Sequence, residues 1–453
     1  MSRGAVKAAV VGGGISGLAA AYRLRTTLGP DADITIVEAS DRLGGAVRTV
    51  ELAGGPLDIG AEAFIGRRPE VPALMAELGI ADQLVHPAGR RPLIYADGAL
   101  HPMPAGTLMG IPADAASMAG LVDDATLDSI AREPATPLQW DKATDVSVAE
   151  LVGARFGEQV LHRSVDPLLG GVYSGLSDSI GVRAGLPTLA AALDDGAPSL
   201  SAAVERALPT PSAGPVFGAL RDGYGVLVDA LIAGANARIT MGTTVTSICG
   251  ERRGWRVDPI GHVDIVVLAV PAPALAHILS DAVPDASAAA AEIRLASSVV
   301  VAMALPVGTE LPDNSGVLVA TDAGLDVKAF TLSSRKWDHL ADRSVPLLRA
   351  SLGRFGDDAH LSASDEDLVE LAVGDLRTAT GIDAAPTASI VQRWPGGLPQ
   401  YAPGHLDRVA EILSAVAQVP GVAVAGAWGG GVGVPACVAS ATRAAAAVCE
   451  VAR

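Results

Sequence analysis

Six residues near the N-terminus, Gly12-Gly13-Gly14-Ile15-Ser16-Gly17, have the types and spacing of a phosphate site. They follow an apolar run, Lys7–Val11, that reads as a short buried strand, and they precede an apolar helical stretch, Leu18–Leu28. A second strand, Ile34–Val37, ends in Glu38, about twenty residues beyond the glycines. In this context each glycine has a task. Gly12 permits the tight turn, Gly14 lets the helix N-terminus approach a pyrophosphate, and Gly17 lets helix and strand pack closely. The helix dipole favours negative charge at that end. Glu38 is then placed to accept hydrogen bonds from a ribose hydroxyl, and its charge repels a 2′-phosphate. The pattern predicts a bound dinucleotide and leaves NAD and FAD as alternatives.

A second arrangement of this kind lies at the other end of the chain. Gly421–Ala425 reads as a strand, Gly426–Gly433 is glycine-rich, and Pro435 begins a helix to about Val451, proline being suited to the first helical position. Between the two lies Arg393-Trp394-Pro395-Gly396-Gly397, where one of five tryptophans sits in a Gly/Pro loop and reads either as a wall for a bound group or as core. Just past Glu38, Asp41-Arg42-Leu43-Gly44-Gly45 again brings backbone close to something bulky. Arg42 reads either as part of that site or as a solvated loop charge.

The elements that must position these residues fit a chain of two or three domains, since 453 residues exceed one ordinary core. With 49% apolar and 18% charged residues the composition is globular. There is no uninterrupted apolar run of the ~18 residues that a membrane helix needs, and the runs ending at Pro271 and Pro306 fit buried strands. Arg3 and Lys7 before an apolar run are superficially like a signal peptide, but the run dissolves into glycines, and a cytoplasmic location is expected. Cys249, Cys437 and Cys449 make no disulfide framework and are expected to be small buried residues. The scattered histidines give no metal site. A net charge of −17 argues against nucleic acid as a partner. After Asp82 the chain reads as helical to about Leu208, with boundaries at Val85-His86-Pro87 and Pro209–Pro215. Leu220–Gly225 then opens a helix, and Ala237–Ile248, which contains Val245, reads as one strand.

The Arg42–Gly45 segment resembles the RxGG motif of the flavin-containing amine oxidase and protoporphyrinogen oxidase superfamily, and this resemblance selects FAD over NAD. Leu57-Asp58-Ile59-Gly60-Ala61-Glu62-Ala63-Phe64 is similar to that superfamily's glycine-led loop along the flavin. AGAWGGGVGVPACVAS (Ala425–Ser440) resembles the C-terminal flavin motif of the protoporphyrinogen oxidases, and the Trp394…Pro399-Gln400-Tyr401…Gly404-His405 run resembles their W…PQYxxGH signature. Asp166–Gly175 is similar to a loop over the substrate cavity. Nearly the whole chain thus resembles the oxygen-dependent, FAD-dependent protoporphyrinogen/coproporphyrinogen oxidase family of haem biosynthesis. Leu176 departs from it where relatives often carry an acid, and Ala46 where many carry an aromatic residue.

The resemblance implies non-covalent FAD contacted by Gly12, Gly13, Gly14, Ile15, Ser16, Gly17, Glu38, Ala39, Arg42, Gly44, Gly45, Ala46, Gly60, Ala61, Glu62, Ala63, Val245, Trp394, Val432, Gly433 and Val434. On the substrate side it implies Arg90, Arg91, Gly171 and Tyr173, with no metal and no side-chain acid or base that can be named. The implied fold is α/β and α+β. A discontinuous Rossmann-type FAD-binding domain (1–85, 216–274 and 405–453) joins a mixed-sheet substrate domain (86–104, 186–215 and 275–404) and a helical insertion (105–185). The implied reaction is six-electron oxidation of coproporphyrinogen III to coproporphyrin III by molecular oxygen, with release of hydrogen peroxide. The alternatives are a protoporphyrinogen IX oxidase, a flavin amine oxidase and a non-catalytic flavoprotein interaction module. Amine oxidases typically place a lysine on a substrate-domain strand, whereas Ser297–Leu305 has none and the chain holds four in all. Asp114, Asp123, Asp124, Asp128 and Asp145 make the insertion acidic, which implies at most weak peripheral membrane contact. A downstream chelatase is the implied recipient of the product.

Overall fold

The structure, a computed structural model, describes residues 5–209 and 214–452. Small and β-branched residues make Lys7–Val11 a strand that is buried on both faces, the requirement for the centre of a parallel sheet. It pairs in parallel with Asp33–Val37 on one side and Ile265–Leu268 on the other, and Arg238–Thr240 and Val422–Val424 complete a five-stranded sheet. Helices Ile15–Leu28, Gly225–Ala235 and Val434–Ala452 share an apolar core with one face. Val434–Ala452 is long and apolar enough to cross a membrane by length and composition, but most of its apolar side is buried in that core. Helices Ala272–Leu279 and Pro284–Ala291 cover the opposite face, so this domain's apolar layer runs past residue 274 to Ile293.

The second body is a seven-stranded mixed sheet. Its order is Ala388–Pro399, Leu295–Ala304, Leu347–Leu352, Val327–Thr331, Gly316–Val319, Leu93–Ala96 and Ala99–Pro102, antiparallel except between Gly316–Val319 and Leu93–Ala96. The expectation of helix from Asp82 onward is corrected here, because short strands occupy much of residues 84–112. The signal was local: Asp97 and Gly98 both have positive φ, 52° and 73°, as a two-residue hairpin turn demands. Ala237–Ile248 is likewise two strands, Arg238–Thr240 and Ser247–Gly250, in different sheets. Cys249 is exposed, not buried, whereas Cys437 and Cys449 are buried as expected. Four residues of the Pro209–Pro215 boundary lie outside the described residues.

The helical body includes Asp124–Arg132, Val148–Phe156 and Asp166–Tyr173, and it shares its core with Pro187–Asp194 and Leu200–Ala207. Glu133 joins these parts. Its carboxylate, 3% exposed, accepts from Arg155 Nε at 2.9 Å, the Leu200 N–H at 2.7 Å and Ser201 Oγ at 2.7 Å. Burial alone would raise its pKa, but the bonds from Ser201, Arg155 and Leu200 outweigh burial and hold it below the ordinary carboxylate value. A depressed folded-state pKa contributes stability above the unfolded value, and this is lost as pH falls through the folded one. Glu133→Ala should therefore destabilise the chain by about 3–5 kcal/mol at neutral pH, leaving Arg155 and two N–H groups unpaired. In urea titrations the gap from wild type should close as pH is lowered below about 4.

Candidate functional site

The ends of Lys7–Val11, Asp33–Val37 and Ile265–Leu268 open on a cleft of about 420 Å³, within the roughly 300–1,000 Å³ of ordinary ligand pockets. It lies where chain connections leave the central strand in opposite directions, the usual ligand position in such sheets. Gly12 has φ of 101°, and a Cβ there would stand 2.3 Å from the Ala269 carbonyl oxygen. A Cβ on Gly17 would stand 1.8 Å from the Gly12 carbonyl oxygen. Gly14, at the cap of helix Ile15–Leu28, provides no side-chain cap, and the first turn holds no acid. The helix therefore begins at the cleft with free N–H groups, and Gly14, Ile15 and Ser16 line it.

The Arg42–Gly45 loop closes over this helix end. Gly44 N–H donates to the Gly13 carbonyl at 2.9 Å, and a Cβ on Gly45 would lie 2.9 Å from Gly14 Cα. Arg42 donates to the carbonyls of Leu43, Val47 and Gly45, and its guanidinium lies 5.4 Å from the Trp394 ring centroid. Burial, reinforced by Arg48, lowers its pKa. Arg42 is thus a brace for the loop as well as a wall of the cleft. Glu38 lines the cleft with Ala39 and accepts from the N–H groups of Gly13 at 2.7 Å and Ser40 at 2.8 Å. A carboxylate has about four acceptor sites, so two backbone bonds leave room for a ribose hydroxyl. Val245 lies in the same wall beside Thr243 and Thr244, and the Thr243 N–H donates to the Glu38 carbonyl.

At the far end, Gly60 meets Ala46 and Trp394. A Cβ there would lie 2.2 Å from the Ala46 carbonyl oxygen and 3.0 Å from the indole, whose Nε1 donates to Ile59 O at 3.2 Å. The Ala61 N–H donates to Ala46 O, and Ala63 packs in the small core behind. The expected Gly/Pro loop around Trp394 belongs to strand Ala388–Pro399. Its pairing jumps from Ser298–Trp394 to Ala296–Leu398, so Pro395, Gly396 and Gly397 bulge outward and line the cleft. Val432–Val434 lead into helix Val434–Ala452, next to the cleft-lining Gly426, Ala427 and Trp428. Tyr401 holds this loop: its hydroxyl accepts from the Gly431 N–H at 2.7 Å and donates to the Ala427 carbonyl. The His405 ring stacks on Tyr401 with centroids 4.0 Å apart and bonds the Trp428 carbonyl, while burial pushes its pKa down to about 4.

Glu62 turns away from the cleft. Its buried carboxylate takes Lys336 Nζ at 2.6 Å and Arg349 at 3.1 Å. Burial would raise its pKa, but these two cations overcome it and hold the acid at about 2. Arg349 also donates to the Asp58 and Gly60 carbonyls, so the substrate sheet grips the Gly60 loop from behind. Gly171 and Tyr173 lie in helix Asp166–Tyr173, with the buried Tyr173 ring 5.5 Å from Tyr401. Arg90 and Arg91 are exposed and are not among the cleft-lining residues; Arg90 is held by Asp313 at 2.6 Å. Val270, Ala427, Trp428 and Cys437 are among the lining residues that the sequence does not single out as cofactor contacts. The signal for Val270 was its place at the end of a strand of the same sheet.

These residues fit an FAD. A helix end suited to a pyrophosphate, an acid beside it, and glycine faces that a Cβ would fill lie along one cleft with an indole at its far end. The model of the family described as flavin containing amine oxidoreductase matches residues 15–449. The chain is 52% identical over 445 residues, 97% of each chain, to a coproporphyrinogen III oxidase of Mycobacterium tuberculosis. It is 50% identical, over 98% of each, to one of Mycobacterium leprae. Among solved structures, a putative protoporphyrinogen oxidase from Exiguobacterium sp. 255-15 superposes with a TM-score of 0.86 at 31% identity, covering 99% of both chains.

Glu38→Ala should weaken FAD binding by about 1–3 kcal/mol, through loss of a charge-assisted bond to the ribose and of the brace on Gly13. Titration of the stripped protein with FAD checks this, and unchanged affinity would remove the ribose role.

Proposed function

The chain belongs to the flavin containing amine oxidoreductase family, and on that premise we propose how its cleft carries out coproporphyrinogen III oxidation. The chain is an FAD-dependent oxidase that forms coproporphyrin III with oxygen as acceptor, and the observation that carries this is near full-length identity of 52% to an oxidase so named. Bound FAD supplies a two-electron acceptor that oxygen can reoxidise.

In this reading the chain's residues bind and orient. Gly12–Gly17 and the helix end hold the pyrophosphate, Glu38 and Ala39 the ribose, and Val245 the adenine end. Arg42, Gly44–Ala46, Gly60–Ala63 and Trp394 shape the flavin end, where Glu62 works through Arg349 on the Gly60 carbonyl. Val432–Val434 bring the N-terminus of Val434–Ala452 to bear on negative charge that develops there. Gly171 and Tyr173 face the substrate, and burial raises the Tyr173 pKa, which keeps its hydroxyl protonated. Of Arg90 and Arg91, which the family resemblance puts on the substrate side, Arg90 is paired with Asp313, and a substrate propionate has to displace that acid.

An amine-oxidase reading asks for a lysine on strand Leu295–Ala304, which has none. Lys328 is in the same sheet but is committed to Ser174 and Gly353. A cytoplasmic location and hand-over of product to a chelatase complete the proposal. Membrane contact is at most weak in it, since Asp114, Asp123, Asp124 and Asp128 are exposed and an anionic leaflet repels them. Asp145 does not belong to that face: it accepts from the N–H groups of Arg183 and Gly404, tying the insertion to the segment after Tyr401.

Acid precipitation should release the flavin into the supernatant. Cys437, the cysteine that lines the cleft, is buried, and burial raises its pKa, which leaves a poorly nucleophilic thiol. A yellow pellet would show covalent attachment. In aerobic assays kcat/KM should be higher for coproporphyrinogen III than for protoporphyrinogen IX, and the reverse order would reassign the substrate while leaving the family intact.

A further inference from the structure

Most of the chain's arginines that leave full exposure have acids or carbonyls to bond, and Arg354 is an exception. It is half-buried at the end of strand Leu347–Leu352, and its guanidinium makes no hydrogen bond or ion pair with any described residue. The nearest acids act on it at a distance. Asp166 accepts from the Ser177 N–H and Thr321 Oγ1, Asp357 accepts from the Ala359 N–H, and the Asp326 carboxylate is largely exposed. A second cation lies against the next residue: the exposed Arg294 guanidinium is 4.7 Å from the Phe355 ring centroid and has no carboxylate partner among the described residues.

The position of this pair is fixed by buried bonds. Lys328 Nζ donates to Ser174 Oγ and to the Gly353 carbonyl, both at 2.6 Å, and the Phe355 N–H donates to the Ser174 carbonyl at 2.6 Å. Burial, with the Arg354 charge beside it, lowers the Lys328 pKa to about 7. The turn bearing Arg354 is therefore fastened to the residue that follows Tyr173. Arg294 precedes Leu295, which lines the cleft, and its carbonyl accepts from the Gln400 N–H next to the cleft-lining Pro399. Gln400 in turn donates to the Tyr173 carbonyl at 2.8 Å. Arg354 and Arg294, which do not themselves line the cleft, are thus tied through the backbone to the place where the cleft meets the Tyr173 helix.

We propose that Arg354, with Arg294 beside it, is the docking site for a propionate of the porphyrinogen, a role that Arg90 cannot take while Asp313 holds it. This rests on the coproporphyrinogen reading above. An arginine kept without a partner in an acidic chain retains its fork of donors for an incoming carboxylate, which it can bind with two parallel bonds.

The test uses the FAD-loaded enzyme and two probes, coproporphyrin III and its uncharged tetramethyl ester, titrated by absorbance and fluorescence alongside aerobic turnover. Arg354→Gln should raise Kd for coproporphyrin III and KM for coproporphyrinogen III about tenfold, the size of one charge-assisted bond at a half-exposed site, with kcat nearly kept. Ester affinity should not move, Arg354→Lys should recover part of the loss, and Arg294→Gln should give a smaller loss. A variant that keeps the flavin spectrum but loses acid and ester affinity together shows a structural role and overturns the proposal. Unchanged Kd and KM in the Arg354→Gln, Arg294→Gln double variant overturns it as well. Wild-type enzyme that does not oxidise coproporphyrinogen III would instead overturn the substrate reading, and the docking site with it.

Discussion

The site depends on two backbones being able to touch. Gly13-Gly14 and Gly44-Gly45 meet with a 2.9 Å hydrogen bond and no room for a Cβ on Gly45, so the loop after the second strand lies across the start of the first helix. That contact places Arg42 where it can brace the loop through three carbonyls and still reach the Trp394 ring. Trp394 comes from the other sheet, so a main-chain contact inside one domain sets how the two domains face each other. A side chain on Gly45 would separate the loop from the helix end before it disturbed any ligand.

The second tie between the bodies is ionic. Glu62 leaves the flavin loop and enters the substrate sheet, where Arg349 and Lys336 surround it. Arg349 also bonds the Asp58 and Gly60 carbonyls, so the cation that holds the buried carboxylate holds the Gly60 loop as well. One side chain thus converts the position of a strand in the substrate sheet into the position of the backbone beside the flavin end.

What the sequence made legible was local. Strand, glycine loop, helix and acid follow one another within about thirty residues, and each carries its own reason, so the dinucleotide half of the cleft could be read directly. The Asp97-Gly98 turn was equally local but was overlooked among prolines. Non-local features were not legible. Nothing in Trp394-Pro395-Gly396-Gly397 says that three residues bulge from a strand, because the bulge exists only against the register of Leu295–Ala304. Glu62 reads as a flavin contact until Lys336 and Arg349, more than 270 residues away, are brought to it. Cys249 reads as core because a cysteine outside any disulfide or metal pattern is usually buried, and it is exposed on a strand of a small separate sheet.

Net charge also needs a local reading. At physiological salt a field fades over about 8 Å, so a total of −17 acts weakly on a small anion already inside a cleft. An extended polyanion differs, since it needs a continuous track of cations, and the arginines here are largely spent: Arg155 on Glu133, Arg163 on Asp322, Arg183 on Asp194, Arg393 on Asp365. A compact carboxylate needs one guanidinium without a partner. In an acidic chain such a group is rare because folding offers it many acids, and its survival beside Ser174 requires that the nearby carboxylates be engaged elsewhere. Asp166 is held by Ser177 and Thr321, and Asp357 by the Ala359 N–H. The same acidity that argues against a polyanion partner therefore makes a half-buried arginine without a partner informative.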